Sequence, residues 1–298
     1  MATAQIRAMR AQVLRSAALR GVASLVIISS IGVAAALAPA TTSVQAASSF
    51  VFASGDAGPF VAGHRGDSVR APENTIPAFE AALASGAAFL ETDVQLTSDG
   101  IPVLMHDWML DRTTSGDGPV WARTFAEIRA LDAGSWYSPE FAGVQVPSLD
   151  EFLGLLVPSG RSAMIELKGA WNEEQVSLVV RQILAHGLRD RVLLASFDVE
   201  TLGAIDGVAP SIQRAIILRK PMEDPRILAD LLGISAIVTS SAAVAEDAAW
   251  VERIRAASLG TLLYTLNEDT QWEQAVGLGV DGIITDCPDD LSRWMQNR

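Results

Sequence analysis

The chain has 298 residues, 49% of them hydrophobic, which is enough apolar material for one large domain or two small ones. Its 35 acidic and 22 basic residues give a net charge of −13, which repels nucleic acid and anionic lipid headgroups and argues against a polybasic docking mode. The single cysteine, Cys287, excludes an intrachain disulfide; it reads as a small buried residue with no role as a nucleophile, and stability has to come from the core.

The first stretch reads as a leader. "MATAQIRAMRAQVLRSAALR" carries Arg7, Arg10, Arg15 and Arg20 and no acid, residues 21–38 form a weakly polar to apolar run, and small residues surround Ala46. That order is the order of a secretory signal peptide. An uncleaved membrane anchor is the competing reading, because the run is close to the shortest length that spans a bilayer. The small residues favour cleavage near Ala46, and no cysteine lies there to carry a lipid. Removing residues 1–46 would take the net charge from −13 to −17, since they hold four arginines and no acid. The expectation is a secreted, periplasmic or cell-envelope protein without stable membrane insertion after cleavage, residues 47–57 being a linker and 58–298 the folded domain.

From residue 60 onward, short apolar runs alternate with longer segments of helical spacing. Strands are expected at 60–64, 89–96, 163–168, 192–197, 215–219, 236–240, 262–267 and 282–286, separated by segments such as "TIPAFEAALASG" and "EEQVSLVVRQILAHG". Several of these segments end in glycine, the usual residue just past a helix. Eight strands joined by crossover helices are what an α/β (β/α)8 TIM barrel requires, with a doubly wound open sheet as the alternative. "PVLMHD" (102–107) breaks the alternation. It follows 89–96 after "TSDGI", a hairpin turn signal, and is expected to be a ninth, antiparallel strand at the barrel mouth. Residues 110 to about 148, with Trp121, Phe125, Trp136, Tyr137 and Phe141, form an insertion that is either a lid or a small satellite core.

Barrel enzymes place reactive groups at the C-terminal ends of the strands. In "FLETDVQ" the period of two puts Glu91, Asp93 and Gln95 on one face, and in "MIELKG" it pairs Glu166 with Lys168. Three carboxylates facing a barrel interior either take up protons, bind a cation, or balance against Lys168 and Arg65 in an ion-pair network. Oxygen ligands without cysteine favour a hard divalent ion, Ca2+ or Mg2+, over zinc. His64 ends the first strand and His106 the hairpin strand, which suits a general acid and base pair, whereas His186 sits at a helix end and reads as structural. Arg65 and Lys168 suit contacts to an anionic substrate, and the whole set suits phosphoryl transfer. Asn74 or Thr75 is expected to cap the helix that Pro77 opens, and Glu73 to support the site or belong to the loop. Asn267 and Asp286, at later strand ends, are expected to line the pocket or to support the residues that do.

Residues 64–118, "HRGDSVRAPENTIPAFEAALASGAAFLETDVQLTSDGIPVLMHDWMLDRTTSGDG", closely resemble the glycerophosphodiester phosphodiesterase family in their ordered His-Arg-Gly, Glu-Asn-Thr, Glu-x-Asp-Val, Thr-x-Asp-Gly, His-Asp and Arg-Thr-Thr motifs. "GSWYSPEFAG", "IELK" and "LGVDGIITDCP" extend the resemblance to about residue 290. It implies a TIM barrel that hydrolyses a glycerophosphodiester, such as glycerophosphocholine or glycerophosphoethanolamine, to sn-glycerol 3-phosphate and an alcohol. It implies His64 and His106 as acid and base, Glu91, Asp93 and Glu166 on the metal, and Arg65 and Lys168 on the phosphate. The rival readings are a secreted phospholipase D-like or phosphoinositide phospholipase C-like enzyme on a related barrel, and a non-catalytic protein that binds glycerophosphodiesters.

Overall fold

Runs of β-branched and aliphatic residues such as "AIIL" and "AIVT" are too short for stable helices and too apolar for an exposed sheet edge. They become buried parallel strands with helices covering one face. The computed structural model describes residues 58–298; the expected leader and linker lie outside the described residues. In chain order the elements are β1 (Phe60–Gly63), α1 (Ile76–Ala84), β2 (Phe89–Leu96), β3 (Pro102–Leu104), α2 (Phe125–Arg129), α3 (Leu149–Ser159), β4 (Ser162–Leu167) and α4 (Glu173–Ala185). There follow β5 (Val192–Ser196), α5 (Val199–Val208), β6 (Gln213–Leu218), α6 (Arg226–Leu232), β7 (Ala236–Ser240), α7 (Ser241–Glu246), α8 (Trp250–Ala256), β8 (Gly260–Tyr264), α9 (Asp269–Leu278), β9 (Gly282–Thr285) and α10 (Pro288–Gln296).

Pairing runs β1-β9-β8-β7-β6-β5-β4-β2 and returns from β2 to β1, every step parallel, so eight strands close into a barrel. The open doubly wound sheet is thereby excluded. β3 hangs antiparallel on β2, with Val94 opposite Leu104 and Leu96 opposite Pro102, as the Asp-Gly turn signal implies. The crossover helices begin on polar caps read directly from sequence: Ser148 and Glu151 form a reciprocal capping box on α3, as do Asn172 and Gln175 on α4.

Two apolar layers follow from the alternation along each strand. Leu90, Val94, Ile165 and Leu167 face outward onto Phe79, Phe152, Leu156 and Val179 of the surrounding helices. Phe89, Met164, Leu193, Ala215, Ile217 and Ile284 face inward and plug the barrel. Above that plug, β2 and β4 present Glu91, Asp93 and Glu166 to the mouth. The plug thus fills the bottom of the barrel and leaves its C-terminal mouth to chemistry.

The insertion has its own small core, in which Leu110, Val120, Ile128, Ala133 and Val146 pack on Val103 and Met105. A satellite core is therefore present. One aromatic of the hairpin tail also reaches the rim: Trp108 lies so close to Gly169 that a Cβ there would meet its ring at 2.6 Å. No helix among the described residues is long and apolar enough to cross a membrane.

Candidate active site

Three strand ends build the site. On β2, Glu91 and Asp93 follow Phe89 on the inward face, and on β4, Glu166 follows Met164 and sits opposite Asp93 in the strand register. All three carboxylates are buried, and one oxygen from each lies within 4.8 Å of the others. Burial, together with the charge of Asp93, pushes the Glu91 and Glu166 carboxyls up, Glu91 to about 7. Asp93 is also buried, but Lys168 and Arg65 outweigh that and hold it below the ordinary carboxylate range. Lys168 Nζ lies 2.9 Å from Glu166 and 3.4 Å from Asp93, and Arg65 Nε lies 3.3 Å from Asp93. The ion-pair network expected as an alternative to a metal is therefore present, with two cations set against three carboxylates. Converging oxygens with leftover negative charge fit a hard divalent cation.

The turn after β1 brings Arg65 there. Arg65 has φ 56°, in the left-handed region, and its N–H donates to Glu91 Oε2 at 2.9 Å, which fastens the turn to the carboxylate cluster. Gly66 follows at φ 93°, where a Cβ would come within 2.6 Å of the Ala78 backbone, so the glycine of His-Arg-Gly is a steric requirement. Asn74 also takes φ 56°, and its side chain turns inward. Its Oδ1 accepts from Thr92 Oγ1 at 2.8 Å, and its Nδ2 donates to Asp93 Oδ2 at 3.0 Å. The expected helix cap is thus not made: Thr75 stands at the N-cap of α1 without a side-chain cap and donates to the Pro72 carbonyl, while Pro77 does open the helix.

The two histidines stand on matching supports. His64 Nδ1 lies 2.6 Å from Asp286 Oδ1, and His106 Nδ1 lies 2.6 Å from Asp107 Oδ1. What lies behind each carboxylate differs. Asp286 accepts from neutral groups, Asn267 Nδ2 at 2.6 Å and Ser68 Oγ at 3.0 Å. Asp107 is clamped by the Arg112 guanidinium, at 2.6 and 3.1 Å. Desolvation disfavours both imidazolium ions. For His64 the bond to Asp286 and the charge of Glu91 outweigh it and leave the ring above its ordinary value, whereas His106 stays below. Asp286 is held down to about 2, burial notwithstanding, by its bond to His64. Asp286 and Asn267 therefore hold His64 from behind, one of the two places expected of them, and do not line the cavity.

Glu73 touches neither histidine. Its carboxylate joins Arg65 Nη1 at 2.7 Å to Arg112 at 2.6 and 2.8 Å, so a charged chain runs from Arg65 through Glu73 and Arg112 to Asp107 and His106. Gln95 steadies the far end, its Nε2 donating to the carbonyls of Met105, His106 and Asp107 at 3.0, 3.3 and 2.6 Å. Two other expectations hold. His186 is the C-cap of α4 and bonds Asp150 at 2.8 Å, and Cys287 is buried with its thiol pushed up by desolvation. His64, Arg65, Glu91, Asp93, His106, Glu166 and Lys168 all line one cavity of about 240 Å³ at the mouth.

Residues 64–290 match the model of the glycerophosphoryl diester phosphodiesterase family. The chain belongs to that family. A glycerophosphodiester phosphodiesterase from Caldanaerobacter subterraneus subsp. tengcongensis is 33% identical over 236 residues, covering 78% of this chain and 95% of the relative. An Oleispira antarctica phosphodiesterase, solved in complex with the product sn-glycerol-3-phosphate, superposes with a TM-score of 0.76 at 30% identity, over 80% of this chain and 97% of that one. The Agrobacterium tumefaciens glycerophosphodiester phosphodiesterase gives a TM-score of 0.70 at 32% identity, over 79% and 99%. This member of the glycerophosphoryl diester phosphodiesterase family is an enzyme, a phosphoric diester hydrolase.

Asp107 and Arg112 are the site residues that sequence reasoning missed. Both sit inside quoted motifs, His-Asp and Arg-Thr-Thr, but their pairing across a turn has no periodicity to announce it.

Proposed function

We propose that the enzyme hydrolyses glycerophosphodiesters to sn-glycerol 3-phosphate and an alcohol, with His106 as general base, His64 as general acid and one Ca2+ or Mg2+ ion held by Glu91, Asp93 and Glu166. The observation that carries this reading is the pair of histidines in one cavity, each fixed at Nδ1 by a carboxylate, with environments that push their proton affinities apart. With Nδ1 engaged, Nε2 is the ring nitrogen left to meet substrate. Arg65 and Lys168 contact the non-bridging phosphoryl oxygens. His106, neutral, takes the proton of the attacking hydroxyl, and His64, as imidazolium, gives its proton to the departing alkoxide. A bound hard cation supplies Lewis-acid stabilisation of the charge that gathers on the phosphoryl group. A protein that merely binds the diester needs no such acid and base pair. The leader-like order of residues 1–46 supports a reaction outside the cytoplasm.

The test is release of sn-glycerol 3-phosphate from glycerophosphocholine and glycerophosphoethanolamine by purified protein after chelation, and again with Ca2+ or Mg2+ restored. Release that returns with either ion supports the reading. Metal-independent release removes the cation from it, and folded protein that releases nothing from any water-soluble diester sinks it.

A further inference from the structure

Across the mouth from His64 stands a cation that the phosphate chemistry does not use. β6 is four strands from β1 in either direction around the eight-stranded ring, so Arg219, the first residue past β6, faces the site from the opposite rim. It lines the same cavity as the histidines and carboxylates. Arg65, Lys168 and Arg112 are each bound to carboxylates, whereas Arg219 forms no ion pair among the described residues. Its guanidinium carbon lies 4.8 Å above the centre of the Phe197 ring, and Phe197 is the first residue past β5. The other cavity-lining residues on β6, β7 and the end of β8, Ile217, Val238, Tyr264 and Thr265, include no acid.

A quaternary ammonium or ammonium headgroup is recognised by open aromatic faces or a carboxylate. Here the Phe197 face is already covered by a cation, and the carboxylates of the cavity, Glu91, Asp93 and Glu166, stand on β2 and β4, where Arg65 and Lys168 engage them. We infer that Arg219, held on Phe197, is a subsite for a negatively charged group on the leaving alcohol, so that the enzyme prefers glycerophosphodiesters with an anion-bearing headgroup. The inference rests on the hydrolytic reading above and adds the substrate class to it.

Glycerophosphoserine and glycerophosphoethanolamine differ by one carboxylate, which isolates the subsite. Wild-type enzyme with its cation is expected to show the higher kcat/KM for the serine diester. Arg219→Gln is expected to lower the serine-to-ethanolamine ratio about two- to fivefold, the scale of one partly exposed ion pair, chiefly through loss of kcat/KM for the serine diester. Arg219→Glu should lower the ratio further, Arg219→Lys should restore part of it, and high salt should shrink the wild-type preference. Phe197→Leu, which removes the ring beneath the guanidinium, should act in the same direction as Arg219→Gln. Wild-type turnover with an unchanged ratio in Arg219→Gln, or an equal loss on both diesters, overturns the inference alone. Wild-type protein that turns over neither diester overturns the hydrolytic reading and the inference with it.

Discussion

His64 and His106 carry the same ring on the same kind of carboxylate, and they differ in the charges around them: Glu91 stands by His64, Arg65 and Lys168 act on His106, and Arg112 stands behind Asp107. Arg112 neutralises Asp107 and leaves His106 with little support for a proton, while Asn267 and Ser68 leave the charge of Asp286 available to His64. Loss of either ring, in His64→Ala or His106→Ala, should cut kcat by about 10²–10⁴-fold, the usual contribution of a positioned acid or base. The supports make opposite predictions. Arg112→Gln frees Asp107 to stabilise the His106 imidazolium, so the acidic limb of the kcat/KM profile should move to higher pH. Asp286→Asn removes the charge that keeps His64 protonated, so the alkaline limb should move to lower pH. Limbs that stay in place, measured on folded variants, would refute this division of roles. Much of the site was legible residue by residue because a period of two on 89–96 places Glu91 and Asp93 on one face without any tertiary knowledge. Asp286 was legible as a strand end, but which residue it supports was not, since its partner lies 222 residues away.

The turn from β1 into α1 and the β2–β3 hairpin give the site its geometry. Gly66→Ala forces a left-handed conformation, costing about 1–3 kcal/mol by itself, and adds an overlap with the Ala78 backbone. Gly86, at φ 83° with nothing within 4 Å of a Cβ, bears the conformational cost alone. Denaturant melts should therefore show Gly66→Ala losing clearly more stability than Gly86→Ala; equal losses would mean that the turn yields. Strand positions were readable from apolar runs, and 89–96 and 236–240 have the expected ends, but other ends were not readable. The expected 262–267 stops at Tyr264 and the expected 102–107 stops at Leu104. In both, the trailing polar residues leave the ladder for specific partners: Asn267 bonds Asp286, and the carbonyls of Met105, His106 and Asp107 bond the Gln95 amide. An element that serves a site ends where its side chains are needed, and hydropathy does not report that.

At the scale of the molecule, the apolar plug and helix layer bear the cost of gathering three carboxylates in one barrel. Glu91 and Glu166 sit above their ordinary values in the folded state, so the stability tied to their protons is present at low pH and lost as pH rises through that raised range, Glu91 near 7. A bound cation removes the same repulsion and competes with those protons. Added Ca2+ or Mg2+ should therefore raise Tm, and by more at pH 8 than at pH 6, in a thermal-shift titration against chelated protein. A shift independent of pH would place the ion elsewhere. Glu91→Gln should abolish most of the shift and lower activity while the barrel stays folded.

The ring closes between its first strand and its last, and His64 depends on Asp286 from that closing strand. A ribosome adding roughly 5–20 residues per second needs tens of seconds to travel the 222 positions between them. Once Glu166 has been added, the nascent chain carries both histidines and all three carboxylates, but His64 lacks its carboxylate support until Asp286 follows. With His64 as the proposed proton donor, hydrolysis waits on β9, and a polypeptide released before that strand would lack both the closed ring and the support of this histidine.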